Sequence, residues 1–143
     1  MKHKNMDVLL DALSKRILFL DGATGTELQK QGLTEEHFRG ALFQNSAIPL
    51  KGNNDILCLT YPDAVRKVHH SYLEAGSDII ETNTFSANII SQSEYGLGDQ
   101  VYNIARAGAA IARECADLYE GALPPPCIVR KDPRVPHTAR RGA

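Results

Sequence analysis

Strand and helix signals alternate along this chain, which predicts an α/β fold with parallel strands. Three observations carry that expectation. Ile17–Leu20 and Asp78–Thr82 are short apolar runs that break into small polar residues. Met6–Ser14, Tyr61–Tyr72 and residues 99–119 repeat apolar side chains at helical spacing. The order strand, helix, strand, helix implies parallel pairing through right-handed crossovers. A closed eight-stranded (β/α)8 barrel, the TIM barrel, takes roughly 250 residues. The 143 residues here therefore supply about the first two to three βα units of one.

Met6–Ser14 reads as a short amphipathic helix with Val8, Leu9, Ala12 and Leu13 on one side. It feeds the strand Ile17–Leu20. Residues 27–59 are poorly periodic, with Gly32, Gly40, Pro49 and the turn-like Gly52-Asn53-Asn54-Asp55, and read as a long functional loop or a set of short elements. Thr60 and Asp63 have capping-box spacing, and Pro62 suits a first turn where its missing N–H is not needed. Gly76 supplies a left-handed stop before the strand Asp78–Thr82. In the last helix Val101, Ile104, Ala105, Gly108, Ile111, Ala112, Cys115 and Leu118 trace one apolar stripe, and Gly121 can end it. Cys127-Ile128-Val129 begins a third strand that Arg130-Lys131-Asp132-Pro133 stops at once.

Composition separates two regions. Hydrophobic content of 43% and charged content of 23% are globular values, and a net charge of −1 offers no broad field for nucleic acid. Residues 1–123 carry a net charge of −5, whereas 124–143 carry +4 and five of the seven prolines. Residues 1–126 are therefore expected to form the domain and 127–143 a disordered basic, proline-rich tail. The tail lacks aromatic interleaving and an amphipathic period, so neither nucleic acid nor membrane is the expected partner. Three cysteines, odd in number and widely spaced, fit free thiols in a reducing cytosol.

Two strand ends carry the candidate chemistry. Asp21-Gly22-Ala23-Thr24-Gly25-Thr26 lets backbone N–H groups turn toward a small anion, while Asp21 can face a cation. An ammonium and a carboxylate on one ligand are an amino acid's main-chain groups; a β-turn with a solvated acid is the plainer alternative. The motif is neither of the glycine-rich nucleotide loops. At the second strand end, Glu81 and Asn83 alternate with Thr82 and Thr84. Asn83 or Thr84 would stand beside a ligand with Phe85 as an apolar wall, or else Phe85 would join the core. His69 and His70, adjacent on a helix, do not share a face and are expected at its surface and edge. Cys58 and Cys115 read as small buried hydrophobes, and no cluster has zinc-ligand spacing.

Four segments resemble the homocysteine-binding domain of the cobalamin-dependent methionine synthases: Leu20–Thr26, Leu33–Gly40, Leu50–Asp55 and Asp78–Phe85. The likeness runs from about Leu13 to about Pro126. The strand-end motifs are shared with the wider homocysteine S-methyltransferase family. Phe38-Arg39-Gly40 and Lys51–Asp55 resemble the cobalamin-dependent enzymes alone.

The resemblance implies a (β/α)8 barrel that binds homocysteine and a zinc ion held by three cysteines. It also implies methyl transfer from methylcobalamin to give methionine, with methyltetrahydrofolate- and cobalamin-binding domains as partners. By the same resemblance Asp21 binds the substrate ammonium, Gly22 and Ala23 offer N–H groups to its carboxylate, Thr24 assists, and Asn83, Thr84 and Phe85 line the pocket. The family's zinc cysteines come from later strands, and Cys58, Cys115 and Cys127 do not match them. From about Cys127 the chain departs from the family, as an alternative exon, a frameshift or a faulty gene model would leave it. The expectation is an N-terminal fragment of a methyltransferase, inactive alone. The alternatives are a non-catalytic homocysteine- or amino-acid-binding or oligomerising fragment, or an interaction protein working through its basic tail.

Overall fold

The computed structural model describes residues 3–119 and 127–129. Helices α1 (His3–Lys15), α2 (Thr24–Lys30), α3 (Glu35–Arg39), α4 (Leu57–Thr60) and α5 (Pro62–Glu74) precede strand β1 (Ile79–Glu81). Helices α6 (Ile89–Ser93) and α7 (Val101–Asp117) follow, and then strand β2 (Cys127–Val129). Short 3-10 turns at Asn54–Ile56 and Gly98–Gln100 lead into α4 and α7.

The strands pair in parallel, as the alternation requires. Ile79, Ile80 and Glu81 stand opposite Cys127, Ile128 and Val129. On the other flank of β1 the expected strand Ile17–Leu20 shortens to one parallel bridge, Leu20 to Ile79. The cause lies in Asp78. Its carboxylate accepts the Phe19 N–H at 2.9 Å and pairs with the Arg16 guanidinium, so a side chain occupies the ladder's next position. Main-chain bonds resume at once, with Asp78 N–H donating to Phe19 C=O at 2.8 Å and Asp21 N–H to Ile79 C=O at 2.9 Å. Two strands and a bridge, with helices between them in sequence, are the sheet of the described residues.

Residues 27–59 hold short helices rather than one loop. Each has seven residues or fewer, too short for a periodic apolar pattern to show. The capping box falls there, not at Thr60. Thr34 N–H donates to His37 Nδ1 at 3.0 Å at the start of α3. Thr60 ends α4 and donates its hydroxyl to Ile56 C=O, because the chain breaks direction at Tyr61 (φ −148°, ψ 66°). Pro62 does open α5, and Gly76 (φ +96°) stops the chain beyond it in the left-handed region.

Helices α5 and α7 pack on each other, with α5 toward β1 and α7 toward β2. The buried face of α5 carries Val65, Val68, His69 and Leu73. His69 is thus fully buried, contrary to the surface or edge position read from its polarity. On α7 the stripe holds from Ile104 to Cys115 but continues through Ala116 and Tyr119, leaving Leu118 70% exposed. Cys58 and Cys115 are buried as expected. Gly121 and residues 130–143 lie outside the described residues.

Candidate functional site

The two strand ends and the Gly52–Asp55 turn meet around a cleft of ≈ 400 Å³. Ala23 makes the first wall turn. Among the described residues it alone departs from glycine at positive φ (36°, ψ 32°), a conformation costing roughly 1 kcal/mol. That bend sends the chain from Asp21 into α2 and leaves the backbone of Gly22–Gly25 along the cleft.

Asp21 lies one layer behind. It is buried, and its Oδ1 accepts the Glu81 N–H at 2.9 Å, which locks the first strand end to the second. Beyond it Thr82, Asn83 and Thr84 are all buried. The Thr82 and Thr84 hydroxyls share a 2.7 Å hydrogen bond. Asn83 donates its Nδ2 to Asn54 C=O at 2.9 Å, and its own carbonyl accepts the Cys58 thiol at 3.3 Å.

The third wall comes from residues whose role the sequence left open. Asp55 is buried, and its Oδ2 accepts the Ser86 N–H at 2.6 Å. Asn53 and Gln92 exchange side-chain amide bonds at 2.8 and 3.1 Å, and Gln92 also donates to Ser86 C=O at 3.0 Å. Glu35 positions this wall from outside. Its carboxylate accepts the Leu50 and Lys51 N–H groups at 2.7 Å each and the Arg39 Nε at 2.7 Å. Arg39 in turn donates to Ser46 C=O at 2.7 Å, so both ends of the 46–51 segment are clipped to α3. Partial burial pushes the Glu35 carboxyl upward, but these hydrogen bonds outweigh it and hold the group below its ordinary value.

Of the residues expected at the site, Gly22, Ala23, Thr24, Asn83 and Phe85 line the cleft. Phe85 is half exposed, a wall rather than a core residue. Asp21 and Thr84 stand behind the lining. Glu81 of the second strand end lines it too, as do Asn53, Asn54, Asp55 and Tyr95, which the sequence did not assign to the site. One signal was present: Asn53-Asn54-Asp55 stands between Leu50 and Ile56-Leu57, three apolar residues that are fully buried.

No group of three or more His, Cys, Asp or Glu among the described residues is placed to hold a metal ion. Burial pushes the Cys58 thiol up to about 12 and the Cys115 thiol up to about 11, so both are protonated at neutral pH. No described helix is long and apolar enough to cross a membrane.

A model of the homocysteine S-methyltransferase family matches residues 18–133. The crystal structure of the homocysteine methyltransferase MmuM from Escherichia coli, in its metallated form, superposes with a TM-score of 0.63 at 22% identity. The match covers 86% of this chain and 40% of that one. At such identity the likeness speaks for the fold, and this chain spans about 40% of that structure's length.

Proposed function

This chain belongs to the homocysteine S-methyltransferase family, and from that membership we propose that it is the N-terminal part of a homocysteine-binding (β/α)8 barrel. The observation that carries the reading is the convergence of both strand ends on one cleft with polar walls. The substrate carboxylate takes N–H groups of the Gly22–Gly25 backbone. Its ammonium turns to the acidic side, where Asp55 and Glu81 line the wall and the Asp21 charge stands behind the Glu81 amide. Thr24, Asn83 and Phe85 close the sides, and Thr84 supports Asn83 from below.

Within the family, Phe38-Arg39-Gly40 and Lys51–Asp55 favour the cobalamin-dependent methionine synthases. In that setting homocysteine is methylated from methylcobalamin, beside cobalamin- and methyltetrahydrofolate-binding domains, in the cytoplasm. An alkyl thiol has a pKa of about 8.5, so a bound zinc ion would supply the thiolate. The described residues do not fit that ion: Cys58 and Cys115 are buried, protonated and in no donor cluster. The chain alone therefore binds substrate without transferring methyl; the family match runs through β2 to residue 133, so the departure expected at about Cys127 moves beyond that residue.

Calorimetry with L-homocysteine under reducing conditions tests the site. Saturable binding is expected, weakened about tenfold by Asp21→Asn, which keeps an oxygen for the Glu81 amide but removes the charge. A folded chain that shows no binding, or an Asp21→Asn variant that binds as well, refutes the proposal. Stoichiometric zinc with methyl turnover refutes the inactivity.

A second reading, an oligomerising fragment, is favoured by the exposure of Ile17 (81%) and Phe19 (65%) beside the single bridge. Such an apolar edge invites association. Light scattering on the purified chain decides it, a monodisperse monomer being the adverse result.

A further inference from the structure

A second cavity, of ≈ 350 Å³, shares Gly52 and Asn54 with the cleft. Its volume falls within the range of small-molecule sites. Leu28 and Phe38 are almost fully buried and form its apolar lining with the half-buried Leu33. Leu28 and Phe38 belong to the main core, so the cavity is walled by residues that packing already holds in place.

Lys51 lines the same cavity. Its backbone N–H is fixed by Glu35, but no carboxylate among the described residues pairs with its ammonium. Glu35, the acid nearest in the network, is already engaged by the Leu50 and Lys51 amides and by Arg39. Lys15, Arg16, Lys30, Arg39, Arg66 and Arg113 are each ion-paired; Lys67 and Arg106, like Lys51, have no such pair among the described residues, but of these three only Lys51 lines either cavity. A cation without an acid partner beside an apolar hollow is complementary to a ligand with both features. A neutral hydrocarbon would make no use of Lys51, and an inorganic anion would leave the hollow wet.

The geometry points to a binding site for a small organic anion, an aliphatic or aromatic carboxylate. Its body rests on Leu28, Leu33 and Phe38, and its acid end meets Lys51. The site does not depend on the homocysteine reading, although Gly52 and Asn54 contribute to both walls.

Amide shift mapping on the ¹⁵N-labelled chain tests it, with hexanoate, hexanol, hexylamine and inorganic phosphate titrated separately. Hexanoate should give saturable shifts concentrated at Gln29, Gly32 and Leu33. Hexylamine should bind about tenfold more weakly, and phosphate should not saturate these amides. Lys51→Gln, at an exposed position, should weaken hexanoate about fivefold and leave hexanol unchanged. Leu33→Ser should weaken hexanoate and hexanol alike. Equal affinity for hexanoate and hexylamine overturns the assignment. So does an unaltered Lys51→Gln variant, or a set of shifts confined to Gly22–Gly25. Homocysteine added to the same sample reads the cleft amides independently, so a failure there is distinguishable from a failure here.

Discussion

Replacing Gly108 by alanine sets helix propensity against packing, with both magnitudes open to estimate. Glycine inside a helix costs about 1 kcal/mol relative to alanine, so propensity alone makes Gly108→Ala stabilising. The structure opposes this. A Cβ on Gly108 would lie 2.6 Å from Thr84 Cγ2, 3.4 Å from Cys58 Sγ and 3.5 Å from the Asn83 carbonyl oxygen. Carbon atoms prefer about 3.5–4.0 Å. Thr84 cannot rotate away cheaply, since it is buried, β-branched and tied through its hydroxyl to Thr82 at 2.7 Å. Overpacking of this kind costs about 1–3 kcal/mol, and breaking the hydroxyl bond adds about 1 kcal/mol. After the propensity gain, the expected net loss is about 1–3 kcal/mol, or a fall in Tm of about 3–12 °C. Urea and thermal unfolding followed by circular dichroism measure it. Thr84→Ser removes the obstructing methyl and keeps the hydroxyl, so the double variant should recover at least about 1 kcal/mol relative to additivity. A Gly108→Ala chain as stable as the parent, or no coupling to Thr84→Ser, would show that α7 does not press on the strand end as described.

Burial holds the His69 imidazole at about 4, against 6.5 when exposed, with a smaller push from His70, and neither ring nitrogen has a hydrogen-bond partner among the described residues. Below pH 6.5 the unfolded chain takes up a proton that the folded chain refuses, so stability should fall between pH 6.5 and about 4, by about 2 kcal/mol at pH 5; urea midpoints should show His69→Leu flattening this slope. Glu35 runs through the opposite arrangement: its folded value is lowered, so its contribution is present above the ordinary 4.5 and lost as pH falls through the lowered value. Amide exchange at Leu50 and Lys51 should accelerate in that window, and Glu35→Gln should accelerate it already at neutral pH. Asp55→Asn should cost about 1 kcal/mol at the Ser86 amide and weaken homocysteine about tenfold, both readable by calorimetry.

Long elements announced themselves along the chain. Helix α5, with Pro62 at its start and Gly76 beyond its end, and the stripe of α7 are visible because many residues vote for one period. Short ones did not. The strand at Ile17–Leu20 lost its ladder to a side chain 59 residues away, the Asp78 carboxylate on the Phe19 amide, which no local pattern encodes. His69 misled because polarity usually means exposure, yet its position at helical spacing between Val65 and Leu73 puts it inside. At the site the strand ends were legible from apolar runs breaking into polar ones. Asn53, Asn54 and Asp55 were not, because their partners Gln92, Asn83 and Ser86 stand 29 to 39 residues away.

Those distant partners bear on what the chain retains. Burying Asn53, Asp55 and Gln92 costs free energy unless each finds hydrogen bonds, and an apolar cluster would fill the same space at less risk. Here the bonds are made: Asn53 with Gln92, Gln92 with Ser86, Asp55 with the Ser86 amide, Asn54 with Asn83, Asp21 with the Glu81 amide. Every cross-tie joins two residues between 21 and 92, within the stretch that the family model matches. Among the described residues these ties brace the walls of the cleft against each other. On the proposed reading, substrate grip draws on these ties, whereas metal chemistry needs donors that the described residues do not assemble.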